Sequence, residues 1–389
     1  MTYELTTSKQ RQAFYELYLY AFNKQDDAKR RAFFFYRYDN ALTYGIQKEE
    51  QLVSALYALP LQVGLKDITY SMYGIGDVMS APEYSGQGSA STLLRYALTK
   101  MNQNKVALSY LAPFSFSYYR QFGYEHVFDK INYTISAKDL KQLQVPKIKT
   151  GTLKKGPLNQ FIETIQPLHA RSSLTKHGGV IRDAKWWHYL TLKNVWDVVV
   201  YYDDAKKAQG YLIYERQALT LTIKEFVFET PLAQNALLNF IVKHQNSFET
   251  FVYEAPQRDY LGLFCPNPGI LNAQIIPYMM ARIVNLESFL TKYPFTAALD
   301  LYFTLSDPVL PENEETWHLK TDTHTTNLTK TTQKAQINLT IQQLSQICLG
   351  ATTATKLANL GLVSVSDKAC LAQLDQAFNQ ATPSLVDYF

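Results

Sequence analysis

Residues 74–98, GIGDVMSAPEYSGQGSASTLLRYAL, decide how the rest of the chain is read. A strand-like run ends at Met79, and a turn signal follows at Ala81-Pro82. Gly86 and Gly88 bracket Gln87. From there the apolar positions Ala90, Leu93, Leu94, Ala97, Leu98 and Met101 recur at helical spacing. Strand, glycine turn and helix start together make a phosphate cradle. Glycines admit close approach to the backbone, and the first N–H groups of a helix have no partner within it and point at an anion. Two common cradles are excluded. A Walker loop needs GxxxxGK[ST], and no lysine follows Gly88 at that place. A dinucleotide loop needs a third glycine after Gly86-Gln87-Gly88, and there is none. The same glycines also fit a plain turn that caps a core helix.

Working outward, Thr7-Ser8-Lys9-Gln10 is a capping box that opens a helix with Phe14, Leu17, Tyr18, Ala21 and Phe22 as its stripe. Residues 23–27 break it, and the aromatic stretch 33–38 is a short helix or a loop. Strand-like runs follow at 41–48, 51–63 and 67–79. After the helix come an apolar run at 106–112, a short helix at 117–122 and a strand at 125–135. Tyr119-Arg120-Gln121-Phe122-Gly123-Tyr124 lies in that short helix and the turn after it. In this order, the glycine loop and the Y-x-x-F-G-[YFW] segment resemble the GNAT acetyltransferases. Their pyrophosphate loop is usually [RQ]-x-x-G-x-[GA]. Here Ser85-Gly86-Gln87-Gly88-Ser89-Ala90 matches at Gly88 and Ala90. It departs at Ser85, where one long donor to the pyrophosphate is missing.

Residues 146–155 form a Lys/Gly-rich connector, after which the order partly repeats: helix, helix, strands at 197–203, 210–215 and 219–229, helix 231–242, strand 248–255. No glycine turn precedes this second helix, so nothing there is expected to hold a pyrophosphate. From 284 a short helix, alternating strands and terminal helices read as α+β. The expected fold is mixed α/β and α+β: a catalytic GNAT domain over 1–145, a degenerate GNAT-like domain over 146–283 and a sterol-carrier-like domain over 284–389. This order, with an aromatic last residue, resembles the Eis (enhanced intracellular survival) acetyltransferases along essentially the whole chain.

The 389 residues carry 47% hydrophobic and 19% charged side chains and a net charge of +4, diffuse and without a Lys/Arg block, so no nucleic-acid partner is expected. No apolar run reaches the roughly 18 residues of a membrane span, so no membrane is expected either. Three scattered cysteines and a polar N-terminus point to a reducing cytoplasm. They lack metal spacing, as do His169, His177 and His188, and no metal is expected.

The resemblance implies acetyl-CoA as co-substrate, a primary amine acceptor (aminoglycoside-like, polyamine or lysine-type) and direct attack in a ternary complex. It also implies a homo-oligomer, a hexamer. It assigns cofactor contacts to Val78 and Ser80, with Met79 alternating away, and to residues Ser85, Gly86, Gln87, Gly88, Ser89 and Ala90. Tyr119 matches the family's general acid, although Tyr118 and Tyr124 are its neighbours. The terminal carboxylate, here that of Phe389, takes the base's place. Phe34, Tyr36 and Asp39 border the region of the acceptor; the aromatics there also fit an ordinary core. A non-catalytic reading competes: GNAT units as scaffold, with an apolar ligand in the C-terminal domain.

Overall fold

The computed structural model describes residues 3–257, 261–379 and 381–389. They form two compact units. The first holds the chain up to Val127, then Tyr278–Pro383 and Tyr388–Phe389; the second holds Phe128–Pro277 and Ser384–Asp387.

In the first unit, helix α1 spans Ser8–Ala21, and its Thr7/Gln10 capping box is formed on both sides. The aromatic stretch resolves as a helix, α2 at Ala28–Asp39, started by Asp27 accepting from the Arg30 N–H. Strands β1 (Leu42–Lys48), β2 (Gln51–Leu65) and β3 (Ile68–Ser80) run antiparallel in sequence. Helix α3 (Ser89–Gln103) then crosses back, so β4 (Leu108–Leu111) pairs parallel to β3. Buried Leu93, Leu94, Ala97, Leu98 and Met101 form the apolar face read from the sequence, packed with Tyr44, Leu56, Ile75 and Leu111 of the sheet. Helix α4 (Phe116–Arg120) starts at Ser115, which accepts from the Tyr118 N–H.

The other neighbour of β4 comes from far along the chain. Strand β5 (Asn272–Ile283) lies antiparallel to it, with Met280 opposite Leu111 and Ile283 opposite Leu108. Residues 280–283, the end of the second GNAT-like stretch in the sequence, therefore pair with β4 of the first. A four-residue strand left on an edge would expose its amides, and β5 satisfies them. The same unit holds a five-stranded sheet in the order Thr326–Lys330, Glu315–Thr321, Leu299–Ser306, Ile337–Thr340, Ser364–Val365. Helices Ile341–Cys348, Ala354–Asn359 and Ala369–Ala377 accompany it.

In the second unit Thr220–Phe228 and Thr250–Ala255 pair parallel, joined by helix Pro231–Val242. This repeats the β3–α3–β4 crossover. The helix start is closed by its own residues: Thr230 accepts from the Ala233 N–H, and Pro231 has no N–H to give. That end offers no cradle for an anion. His169 lies buried here against Trp187, and burial, with Arg182 nearby, keeps its pKa well below the usual value.

Candidate active site

The loop between β3 and α3 is a short 3-10 turn, Pro82–Tyr84, followed by Gly86 and Gly88 at φ 77° and 80°. A Cβ on either glycine would meet nothing within 4 Å. The glycines are therefore required by backbone conformation, which L side chains rarely adopt. Gly88 is the N-cap of α3 and no side chain caps it. The first intrahelical bond is Thr92 N–H to Gly88 O at 2.9 Å, so the N–H groups of Ser89, Ala90 and Ser91 precede it at the helix start. Ser85 and Gln87 are exposed and Ser89 is buried. Lys48, at the end of β1, reaches this loop: its Nζ donates to Gln87 Oε1 at 2.9 Å and lies 4.8 Å over the Tyr84 ring. An ammonium thus stands at the loop that lacks the motif's arginine.

β3 and β4 pair only from Met72↔Leu108 to Ile75↔Leu111. Beyond Ile75, β3 continues to Ser80 with β2 on one side only. The Ala81 N–H donates to Val53 O of β2 at 2.8 Å. Backbone groups alternate along a strand, so Met79 also turns to β2, while Val78 and Ser80 turn to the open side. Their side chains alternate likewise, with Met79 buried and Val78 and Ser80 half-buried.

Tyr119, on α4, packs in the same apolar cluster as Ile75 and Val78. The three neighbouring phenols are distinguishable. Tyr118 shares a hydrogen bond with Ser91 at 3.2 Å, and Tyr124 shares one with Ser109 at 2.7 Å. The Tyr119 hydroxyl makes no hydrogen bond among the described residues. Burial raises its pKa, helped by Tyr118, Tyr124 and Tyr388, so it keeps its proton at neutral pH. The turn after α4 is held from β5. Gly123 sits at φ 79°, and a Cβ there would come within 2.6 Å of the Arg282 guanidinium. Arg282 donates to Phe122 O at 2.5 Å and to Asp307 Oδ2 at 2.5 Å, and both side chains of that ion pair are fully buried.

Phe389 belongs to the first unit and is 3% exposed. A Cβ on Gly74, opposite Tyr110 where the pairing with β4 is about to end, would come within 2.5 Å of its ring. In the second unit, Asp387 accepts from Arg182 Nε at 2.8 Å and from Trp186 Nε1 at 2.6 Å; Arg182 also donates to Glu225 at 2.5 Å.

Of the acceptor-side residues, Phe34 is 1% exposed among Phe14, Tyr15 and Tyr18, a core position. Tyr36 is half-buried, and Asp39 pairs with Arg11 at 2.7 Å. Among the described residues no three His, Cys, Asp or Glu side chains lie together as a metal site. Three residues of this region escaped the sequence reading: Lys48, Asp77 and Arg282. Asp77 and Arg282 each left a local signal, as the one charged residue inside a strand; Lys48, at a strand end, left none.

The acetyltransferase (GNAT) domain family matches residues 2–127, a second acetyltransferase (GNAT) domain family matches 178–283, and the sterol carrier protein domain family matches 286–386. No curated protein matches the sequence. Among solved structures, a probable N-acyltransferase from Enterococcus faecalis V583 shares 33% identity over 100% of this chain and 99% of its own, with a TM-score of 0.94. Two more distant structures share the fold. A GCN5-related N-acetyltransferase from Anabaena variabilis has 22% identity and TM-score 0.88 over 100% and 99% of the two chains. Eis1 from Mycobacterium abscessus has 18% identity and TM-score 0.82 over 100% of both. The chain belongs to the GNAT superfamily of N-acetyltransferases, with two tandem GNAT domains and a C-terminal sterol-carrier-like domain, a fold that Eis1 shares.

Proposed function

We propose that the first GNAT domain transfers the acetyl group of acetyl-CoA directly to a primary amine, of aminoglycoside, polyamine or lysine type, within a ternary complex. The observation that carries this reading is the open backbone of Val78–Ser80 between the glycine loop and Tyr119. GNAT membership implies the co-substrate. The α3 start, Gly86 to Ala90, would take the pyrophosphate, with Lys48 supplying charge in place of the arginine absent at Ser85. The Val78 N–H would bond the thioester carbonyl as it becomes an oxyanion, the kind of preorganised contact that stabilises such transition states. The amine nitrogen attacks the carbonyl carbon and the C–S bond breaks. The proton released by the amine goes to the Phe389 carboxylate, and Tyr119 protonates the departing thiolate, giving amide and CoA. Tyr36 and Asp39 remain the acceptor-side residues in this reading. The Eis-like resemblance extends the proposal to a cytoplasmic hexamer, which light scattering of the purified protein would test.

The test follows thiol release from acetyl-CoA with a panel of polyamines and aminoglycosides. Deleting Phe389, or adding residues after it, should abolish release while acetyl-CoA still binds. Gly74→Ala, whose methyl overlaps the Phe389 ring, should do the same in milder form. Full turnover in an extended protein would remove the carboxylate from the mechanism. Absence of both binding and release in the intact protein would remove the reaction.

A further inference from the structure

β3 carries one residue more than its pairing with β2 needs. Tyr57 stands opposite Gly76 and Ala55 opposite Met79, so Asp77 and Val78 together face Leu56. Asp77 takes φ 46°, the left-handed conformation usually left to glycine at the first position of such a bulge. The extra residue decides where the Val78 amide points. Without it, residue 78 would stand opposite Ala55 and turn its N–H to β2. With it, that N–H turns to the open side beyond Ile75, because a one-residue slip reverses the alternation.

The bulge is gripped from α2. Arg37 forms an ion pair with Asp77, the two side chains being 7% and 10% exposed. The Arg37 guanidinium lies 4.4 Å over the Tyr57 ring of β2 and 5.5 Å over that of Phe34. The Tyr57 hydroxyl fills the space beside Gly76 where any other residue would place its Cβ. Helix, neighbouring strand and bulge therefore interlock around one buried charge pair. Packing alone does not call for these charges, since a neutral core of the same volume would pack without the desolvation cost. What the pair supplies is direction: it ties the left-handed residue to a fixed point on α2.

We propose that Arg37 and Asp77 are positioning residues, whose ion pair pins the β3 bulge and so aims the Val78 N–H at the thioester carbonyl, an inference that rests on that amide being the carbonyl's donor. The test uses the intact protein with acetyl-CoA carrying a 13C carbonyl, read by infrared difference spectroscopy alongside kcat and KM. In the wild-type protein the bound carbonyl band should fall to lower frequency than in free acetyl-CoA. In Arg37→Met the band should return toward the free value. Its kcat should drop about 10- to 100-fold, less than the roughly 10²- to 10³-fold of losing a donor outright, with KM for acetyl-CoA nearly unchanged. Asp77→Asn, which keeps the shape and tolerates the left-handed conformation, should show the same trend and covers a failure of Arg37→Met to fold. Asp77→Gly should retain more activity than Asp77→Ala, because glycine holds the bulge without strain. Folded variants with an unshifted band, unchanged kcat and only a lower Tm would overturn the proposal. A wild-type band identical to that of free acetyl-CoA would instead remove the Val78 amide as donor, and the proposal with it.

Discussion

At the scale of single residues, the site depends on what stands beside each reactive group. Lys48 and Ser85 illustrate this. The loop motif is one donor short at Ser85, and an ammonium from another strand stands 2.9 Å from Gln87. Lys48→Met should therefore raise KM for acetyl-CoA about 10-fold, the cost of roughly 1.4 kcal/mol of uniform binding, with kcat little changed. Ser85→Arg in the same protein should recover most of that loss, measured by initial rates. Tyr119 leads to a second prediction. Burial raises its pKa, so it stays protonated beyond the ordinary phenol value of about 10. The pH–rate profile should rise as the acceptor amine loses its proton, near pH 10 for a lysine-type amine, with no descending limb below about pH 10. Tyr119→Phe should lower kcat by about 10²- to 10⁴-fold without adding an alkaline limb. A descending limb near pH 9 in the wild-type enzyme would contradict the assignment.

The glycines show which residue-scale facts a sequence can carry. Gly86 and Gly88 were legible because their reason is local: two left-handed positions before a helix. Gly74 and Gly76 look like ordinary strand glycines. Their reasons lie in Phe389 and Tyr57, side chains brought in by the fold. Phe34 is ambiguous for the opposite reason, since an aromatic on an amphipathic helix suits a core and a binding wall equally.

At the scale of elements, helices with a strong apolar face or a capping box were readable, as α3 shows for the first and α1 and Ile341–Cys348 for the second. The bulge in β3 was not, because a bulge is a relation between two strands. The turn after α4 was likewise legible as a motif but not in its support. Asp307 accepts from Arg282, from Asn313 Nδ2 at 2.9 Å and from the Val309 and Leu310 amides at 3.0 and 3.1 Å. This array holds the carbonyl of Phe122 through Arg282. Asp307→Ala would leave a guanidinium buried without its counter-charge, which costs about 3–5 kcal/mol. The urea midpoint should fall accordingly, and Tyr119 should lose its fixed placement before the protein unfolds. A midpoint within experimental error of wild type would show that water replaces the carboxylate.

At the scale of the whole molecule, the order of domains was readable because each carries its own periodicity. The pairing of residues 280–283 with β4 was not, because a short apolar strand bears no mark of its partner. A protein cut after residue 127 keeps the glycine loop and Tyr119 but loses both β5 and Arg282. Such a fragment should aggregate on expression, checked by the soluble fraction and by acetyl-CoA binding; a soluble, binding-competent fragment would contradict this account.

The same strand sets a delay during synthesis. Roughly 170 residues separate β4 from the end of its partner, which at about 5–20 residues per second amounts to about 10–30 s of elongation. Throughout that interval the nascent chain displays an unsatisfied apolar edge beside the polysome. Holdase chaperones should therefore associate with it before residue 283 emerges and release it soon afterwards.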